Sequence, residues 1–328
     1  MSIYIKKIEY TDGWYFGECY GNTPHGTGRF LYNSGSTYEG DFKDGKFHGR
    51  GIFRFSNGNS YVGTFKEDKY HGYGTLINKS KGWSYRGEFK DGYCDGQGIT
   101  IYDSGGAHEG GYSRGYYHGF GKCIYQDGTR YEGEFFKGER HGTGTIYYPS
   151  GNIYEGDFRD GYLCGKGTYI FKNGNTYFGQ FKNDNFNGYG VLINKTNGWT
   201  YKGEFKDDEF DGEGTTIYDN GEVYEGYYSK GYFNGYGSYS YPNGSKYIGQ
   251  FYDGQKSGEG TMYYADGDIY EGEWYEDKRH GMGKYHFYQS GNTITGTWKN
   301  GACDGEGFIT FPDGSIKRHY WENDDLIW

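Results

Sequence analysis

The chain has 328 residues, of which 64 are glycine and 42 tyrosine but only four are proline and five cysteine, and its formal net charge is −10. Without a basic stripe to neutralise phosphates, nucleic acid is not an expected partner. Scattered cysteines, no signal peptide and no apolar stretch of membrane-spanning length predict a cytoplasmic protein without a disulfide framework.

The first predicted element is a capping strand within residues 1–14. Residues 8–13 resemble the second strand of the repeat described below, without its first strand. A bare sheet edge invites pairing with other chains. We therefore expect this segment to cover the start of the sheet that follows.

Residues 15–315 form the main predicted element, an array of thirteen units spaced 23 or 24 residues apart. Each unit opens with Tyr-x-Gly-x-aromatic and carries Gly-x-Gly within the next dozen residues, as in residues 38–42 and 49–51. A period this short, sustained this long, predicts a stack in which each unit contacts mainly its neighbours. The units open at Tyr15, Tyr38, Tyr61, Tyr85, His108, Tyr131, Tyr154, Tyr177, Tyr201, Tyr224, Tyr247, Tyr270 and Ile294.

Each unit is predicted to contain two strands. Residues 38–42 alternate between apolar or small residues and charged ones, the period of a half-buried strand, and residues 49–55 form the second strand. Residues 43–48 are predicted as a polar loop, and Asn57-Gly58 as a type I′ turn. We expect rings from one strand to lie flat across the bare glycine backbone of the next.

The predicted fold class is therefore all-β. The units would form an elongated, single-layer antiparallel meander of tandem 23-residue β-hairpins, twisted or curved into a rod. Residues 38–153 and 154–269 align at an offset of five units, which indicates a duplicated block. Residues 316–328 lose the pattern and are predicted as a degenerate C-terminal cap or as an edge for homodimer formation.

The repeat resembles that of a known family. Residues 270–283 contain Tyr-Glu-Gly-Glu-Trp and then His-Gly-Met-Gly, which resembles the MORN (membrane occupation and recognition nexus) repeat, and the resemblance covers residues 10–316. It implies a non-enzymatic scaffold in a cytoskeletal, ciliary or membrane–cytoskeleton assembly, and some members are said to bind phosphoinositides. The chain departs from the family pattern in having Phe or Tyr at the fifth position of most units, where only Trp274 and Trp298 keep tryptophan.

An aromatic stripe is the candidate partner-binding site. A single-layer sheet has no second layer to cover such a stripe, so it predicts a groove for a helical or extended peptide; packing within the sheet is the alternative interpretation. The candidates are Tyr38, Phe42, Tyr61, Phe65, Tyr131, Phe135, Tyr154, Phe158, Tyr177 and Phe181. Trp83 and Trp199, five units apart at loop edges, are candidate hot spots or local loop packing.

The alternative function is a platform that binds phosphoinositides or other anionic lipid. Most of the excess acidic charge lies in the second half of the chain, so the first half would supply the contact. The lipid-contact candidates are Lys43, Lys46, Arg50, Arg54, Lys66 and Lys69. An extracellular carbohydrate or choline binder is disfavoured by the missing signal peptide.

No catalytic, cofactor or metal site is predicted, so the chain is not expected to be an enzyme. Histidines recur just before Gly-x-Gly, but neighbouring units lie about 10 Å apart, too far for two histidines to share one zinc ion. The carboxylates at Asp207, Asp208 and Asp211 are interpreted as solvated loop charge.

Overall fold

A computed structural model describes residues 3–328. Within them the chain forms 29 β-strands and no helix, which confirms the predicted all-β class. The fold divides into two compact units, one ending at Leu163 and the other running from Cys164 to Trp328.

The first unit contains fourteen strands. They are β1 (Tyr4–Tyr10), β2 (Gly13–Tyr20), β3 (Thr23–Tyr32), β4 (Thr37–Lys43), β5 (Lys46–Arg54), β6 (Ser60–Lys66), β7 (Lys69–Asn78), β8 (Trp83–Lys90), β9 (Tyr93–Tyr102), β10 (Ala107–Ser113), β11 (Tyr116–Ile124), β12 (Arg130–Phe136), β13 (Glu139–Tyr147) and β14 (Ile153–Arg159).

The second unit begins inside β15. Its strands are β15 (Tyr162–Ile170), β16 (Thr176–Lys182), β17 (Asn185–Asn194), β18 (Trp199–Lys206), β19 (Glu209–Tyr218), β20 (Val223–Ser229), β21 (Tyr232–Ser240), β22 (Lys246–Tyr252), β23 (Gln255–Tyr263), β24 (Ile269–Tyr275), β25 (Lys278–His286), β26 (Thr293–Lys299), β27 (Ala302–Thr310), β28 (Ile316–Glu322) and β29 (Asp325–Leu326).

Within each unit, consecutive strands pair antiparallel and the chain runs as a meander, as predicted. In the first unit, Gly40 of β4 lies opposite Gly28 of β3 on one side and Gly51 of β5 on the other. Gly51 in turn lies opposite Gly63 of β6. The glycines therefore line up from strand to strand, and we call this row the glycine ladder.

In most repeats a tyrosine ring lies over the glycine ladder. A Cβ atom on Gly51 would lie less than 3.0 Å from the Tyr38 ring, so nothing larger than glycine fits there. Tyr38 is fully buried, and its hydroxyl donates to the Asp41 carbonyl oxygen at 2.8 Å. The expected stacking of rings on bare backbone is confirmed. The same hydroxyl-to-carbonyl bond recurs at Tyr15, Tyr61, Tyr85, Tyr131, Tyr154, Tyr177, Tyr201, Tyr224, Tyr247 and Tyr270.

A β-bulge explains the first glycine of Gly-x-Gly. Gly40 pairs with Gly51 whereas Asp41 pairs with His48, so Gly49 and Arg50 have no opposite residue in β4. Gly49 has a φ of 57°, a conformation that glycine adopts without strain. The Asp41 carboxylate accepts a hydrogen bond from the Arg50 amide at 2.8 Å. The first glycine thus permits the bulge, and the second makes room for the ring.

The two turns of each hairpin differ from the prediction. Residues 43–48 are not a loop, because β4 runs to Lys43 and β5 begins at Lys46. Asp44 and Gly45 have φ values of 51° and 81°, so this is the type I′ turn. Asn57-Gly58, the predicted type I′ turn, has a positive φ at Gly58 only. The Phe55 amide donates to the Asn59 carbonyl and closes a three-residue loop there. The loop prediction was wrong because residues 43–46 are polar or glycine, although the strand alternation continues through Phe47.

Aspartate replaces glycine in several type I′ turns and gains a hydrogen bond there. Asp68 has a φ of 68°. Its amide donates to the Phe47 carbonyl at 3.1 Å and its carboxylate accepts from the Phe47 amide at 2.8 Å. A non-glycine residue is strained at this φ, and the added bond to the neighbouring hairpin offsets that cost. Asp208 does the same on Phe186, which gives this carboxylate a structural role.

Further strands flank the repeats at both ends. β1 pairs with β2 from Tyr4 to Tyr10, so the capping strand is longer than residues 8–13 suggested; residues 1–2 of the predicted segment lie outside the described residues. At the other end, the Ile327 amide donates to the Tyr320 carbonyl, and the Tyr320 amide donates to that of Trp328. The chain thus covers part of its own last edge. The homodimer remains a prediction.

One repeat carries histidine in place of the core tyrosine. His108 is fully buried and stacks on Tyr117 with ring centroids 3.7 Å apart. Neither of its ring nitrogens has a hydrogen-bond partner of good geometry among the described residues. Burial lowers the pKa of His108 from 6.5 to about 4. This repeat therefore lacks the hydroxyl-to-carbonyl bond of the eleven tyrosine repeats and holds a neutral imidazole.

Replacing Gly51 with alanine should lower the free energy of unfolding by about 1–3 kcal/mol, the usual cost of overpacking a core. The added methyl group meets the Tyr38 ring. In a Tyr38→Ala background the same change should cost less, because the clash is gone. Urea unfolding of the two single variants and the double variant measures this. Additive losses would contradict the proposed contact.

Replacing His108 with tyrosine should stabilise the protein, and more so at acidic pH. The unfolded histidine gains a proton near pH 6.5 whereas the folded one gains it near pH 4, so acid favours the unfolded chain. Between pH 7 and pH 4.5 the advantage of the variant should grow by about 2 kcal/mol, at about 1.4 kcal/mol per pH unit. Thermal unfolding of both proteins over this pH range tests it. A difference that does not change with pH would refute the neutral buried histidine.

Candidate functional site

The predicted aromatic stripe lies in the interior of the protein. Tyr38 is stacked on Phe47 of β5 with centroids 3.8 Å apart. Phe42 and Phe65 meet it edge to face at 5.1 Å and 5.0 Å. The candidates Tyr38, Phe42, Tyr61, Phe65, Tyr131, Phe135, Tyr154, Phe158, Tyr177 and Phe181 all have side chains no more than 4% exposed. A docked partner would not reach them, so the interpretation as packing within the sheet fits these residues.

The prediction missed the aromatic residue that covers the core tyrosine in several repeats. Phe47 lies in the segment predicted as a loop, and Tyr70, Phe186, Phe210 and Phe233 occupy the same place in other repeats. They stack on the core tyrosines from the second strand of the same hairpin. An aromatic residue two positions before Gly-x-Gly was the available signal. In these repeats the core tyrosine is covered without a second layer.

The opposite face of the first unit carries an open groove of about 760 Å³. Its floor is the backbone of the glycine ladder, including Gly28, Gly40 and Gly51. One wall is formed by residues next to the ladder on one side, such as Phe16 and Val62. The other wall is formed by residues on the opposite side of the ladder: Ile5, Glu18, Thr27, Arg50, Thr64 and Tyr73.

Apolar side chains in these walls are open to solvent. Phe16 is 61% exposed, Tyr73 58% and Val62 48%. The polar groups beside them are already engaged: the Glu18 carboxylate accepts from the Thr27 amide at 2.5 Å, and this bond lowers the pKa of Glu18. The groove thus combines apolar contact area with a carboxylate held in place by the backbone.

The second unit has a smaller groove of the same kind, about 470 Å³. Gly203, Gly214 and Gly226 form its floor, and Tyr189 and Tyr236 stand in its walls, 52% and 61% exposed. Tyr227 donates its hydroxyl to the Glu213 carboxylate at 2.7 Å. In both grooves the middle residue of Gly-x-Gly lines a wall. This residue is aromatic in some repeats and charged in others.

The six lipid-contact candidates do not form one patch. Lys43 pairs with Lys46 and Lys66 with Lys69 at the tips of two hairpins. There they alternate with acidic turn residues, and Lys46 lies 3.9 Å from the Glu67 carboxylate. Arg50 lines the groove and Arg54 lies at the other end of β5.

The two tryptophan candidates lie at equivalent places in the two units. Trp83 begins β8 and Trp199 begins β18, and each lines a small pocket on the ring face of its own unit. The described part of the chain contains no helix that could span a bilayer.

Comparisons with solved structures give distant likenesses. The TCP10 domain of Danio rerio CPAP, in complex with a peptide of Danio rerio STIL, is 13% identical with a TM-score of 0.35, over 68% of this chain and 93% of that one. The SAS-4 (dCPAP) TCP domain, in complex with a proline-rich motif of Ana2 (dSTIL) of Drosophila melanogaster, is 14% identical with a TM-score of 0.26, over 55% and 85%. Scores this low say nothing about what the present chain binds.

Comparison with curated protein sequences gives no match. The family model of the MORN repeat, in contrast, matches thirteen consecutive segments that together run from residue 15 to residue 316. Their starts agree with the repeat boundaries read from the sequence at every unit but the last, which begins at residue 295. With most of its length matched in this way, the chain belongs to the MORN-repeat family.

Proposed function

We propose that the chain is a non-enzymatic scaffold that binds extended segments of partner proteins in the groove over the glycine ladder of each unit. MORN repeats suggest an interaction or scaffold protein. The observation that carries the proposal is the set of exposed rings and aliphatic side chains above a bare backbone floor.

The exposed apolar side chains are unusual because several of them line one groove. Single exposed apolar residues are normal on a protein surface, but a contiguous patch marks an interaction site. Phe16, Val62 and Tyr73 stand along one groove on three strands of the first unit. The ring face buries its aromatic residues, whereas this face leaves them open.

The width of the groove favours an extended segment over a helix. Its walls rise from residues on either side of a ladder glycine, such as Phe16 and Glu18 beside Gly17, which are about 7 Å apart along a strand. An α-helix with its side chains is about 10–12 Å across. An extended chain can lie between the walls and place alternate side chains against them.

Protein binding accounts for the site better than lipid binding does. The lysines of the alternative proposal share the hairpin tips with Asp44, Glu67 and Asp68, so the local charge is mixed. We place the scaffold in a cytoplasmic cytoskeletal, ciliary or membrane–cytoskeleton assembly, which family membership supports.

Replacing both Phe16 and Tyr73 with serine should weaken peptide binding at least tenfold. The probe is the tightest binder selected on the wild-type protein from a random library of twelve-residue peptides, and the dissociation constants are measured by isothermal titration. Two lost apolar contacts, each of roughly 1–2 kcal/mol, give this factor or more.

The matched control is Tyr93→Ser. Tyr93 is 57% exposed, close to the value for Tyr73, but lies outside both grooves. Its replacement should leave the affinity unchanged. Equal affinities for the wild-type protein and the groove variant would reject the proposed site, and vesicles of phosphatidylinositol 4,5-bisphosphate competing with the peptide would favour the lipid alternative.

A further inference from the structure

Two matching pockets lie on the ring face, away from the grooves. The first, of about 230 Å³, is lined by Trp83, Thr100, Tyr102 and Tyr112 among others. The second, of about 250 Å³, is lined by Trp199, Thr216, Tyr218 and Tyr228. Each of these residues in the second pocket stands 116 positions after its counterpart in the first. The pocket therefore occurs twice, once in each unit.

A small residue in place of a large one opens each pocket. Thr100 follows the second glycine of Gly-x-Gly by two positions. In most other repeats this position holds a larger apolar or aromatic side chain, and those of Phe30, Phe53 and Leu76 pack against the buried core. These residues are Phe30, Phe53, Leu76, Ile146, Tyr169, Leu192, Tyr239, Met262, Tyr285 and Ile309. Threonine stands there at Thr100 and Thr216 only.

A second substitution accompanies the threonine. The fifth position of the next repeat is phenylalanine in most of the chain, as at Phe89, but tyrosine at Tyr112 and Tyr228. The Tyr112 hydroxyl lies 2.7 Å from the Thr100 hydroxyl, and the Tyr228 hydroxyl lies 2.6 Å from that of Thr216. Each hydroxyl pair satisfies its own hydrogen bond, so these polar groups do not require a water or a polar ligand.

Rings form the walls of each pocket. Trp83 lies opposite Tyr102 in the pairing of β8 with β9, and Trp199 lies opposite Tyr218 in the second unit. Both tryptophans follow a loop that has one residue more than usual. Tyr116 and Tyr232 stand at the pockets, 60% and 57% exposed. The pockets are thus accessible and mainly apolar.

We propose that each pocket receives a phenylalanine side chain of a partner protein, at a docking site separate from the groove. The chain itself supplies the argument, because elsewhere a phenylalanine, leucine or tyrosine of the array occupies this place. An apolar cavity of about 150 Å³ accepts benzene, so each of these pockets has room for a phenyl ring. Ring walls favour an aromatic guest through edge-to-face contacts. The duplication provides two anchor sites in each chain.

Toluene, the side-chain analogue of phenylalanine, tests the pocket directly. Titrated into protein labelled at threonine methyl groups, it should give saturable NMR shifts at Thr100 and Thr216. The paired changes Thr100→Leu with Tyr112→Phe recreate the Leu76 and Phe89 pair of the preceding repeat, so the fold is kept. This variant should no longer bind toluene at the first pocket but should keep the shift at Thr216. The corresponding change at Thr216 and Tyr228 should abolish binding at the second pocket and keep the shift at Thr100.

Butylammonium, the analogue of lysine, should give no such shifts. Absence of saturable shifts with toluene, or binding that persists in the filled variants, would overturn the proposal. The groove variant with Phe16 and Tyr73 replaced by serine should bind toluene at both pockets as the wild-type protein does. That result separates failure of the pockets from failure of the groove.

A peptide experiment tests the protein partner. Random twelve-residue peptides are selected on the groove variant, and phenylalanine should be enriched among the binders. Their affinity should fall at least tenfold when both pockets are filled. Selected peptides without phenylalanine enrichment, or with unchanged affinity for the filled variants, would overturn the assignment of the guest. Tyr116→Ala and Tyr232→Ala, at exposed positions, give a second pair of variants that leave the core intact and should also weaken binding.

Discussion

The fold depends on one interaction that is repeated along the chain: a buried tyrosine ring lies over the glycine ladder and donates its hydroxyl to the carbonyl of the bulge. Tyr38 makes this contact with Gly51 and Asp41, and ten other tyrosines repeat the hydrogen bond. The ring needs glycine for space and a bulge for its acceptor. The three features of the repeat, tyrosine, glycine pair and Gly-x-Gly, are therefore parts of a single contact.

This contact gives the two faces of each unit different roles. On the ring face, Phe47 and its equivalents close over the tyrosines, so the aromatic residues stabilise the sheet by burial and by edge-to-face packing. On the other face, the ladder backbone is the floor of a groove whose wall residues vary between repeats. Residues there are free of the packing constraint and can specify a ligand. The two ring-face pockets arise where threonine replaces a core side chain.

Much of the fold could be predicted from the sequence, because the period, the alternation in the first strand and the paired glycines all report on the same hairpin. The turns were harder. Lys43, Asp44 and Gly45 look like a loop by composition, and only the φ values identify a two-residue type I′ turn. The site was harder still. Tyr38 and Tyr73 are both tyrosines near a glycine, and which one is buried depends on strand phase and on the covering ring of the next strand.

Hydroxyl-radical footprinting with mass spectrometry tests this arrangement most directly, because the radical reports on side-chain exposure whatever the pKa of the phenol. We predict that Tyr73, Tyr189 and Tyr236 are modified rapidly in the folded protein, whereas Tyr38, Tyr61 and Tyr177 are protected until it unfolds. Comparable modification rates for the two groups in the folded state would contradict the account.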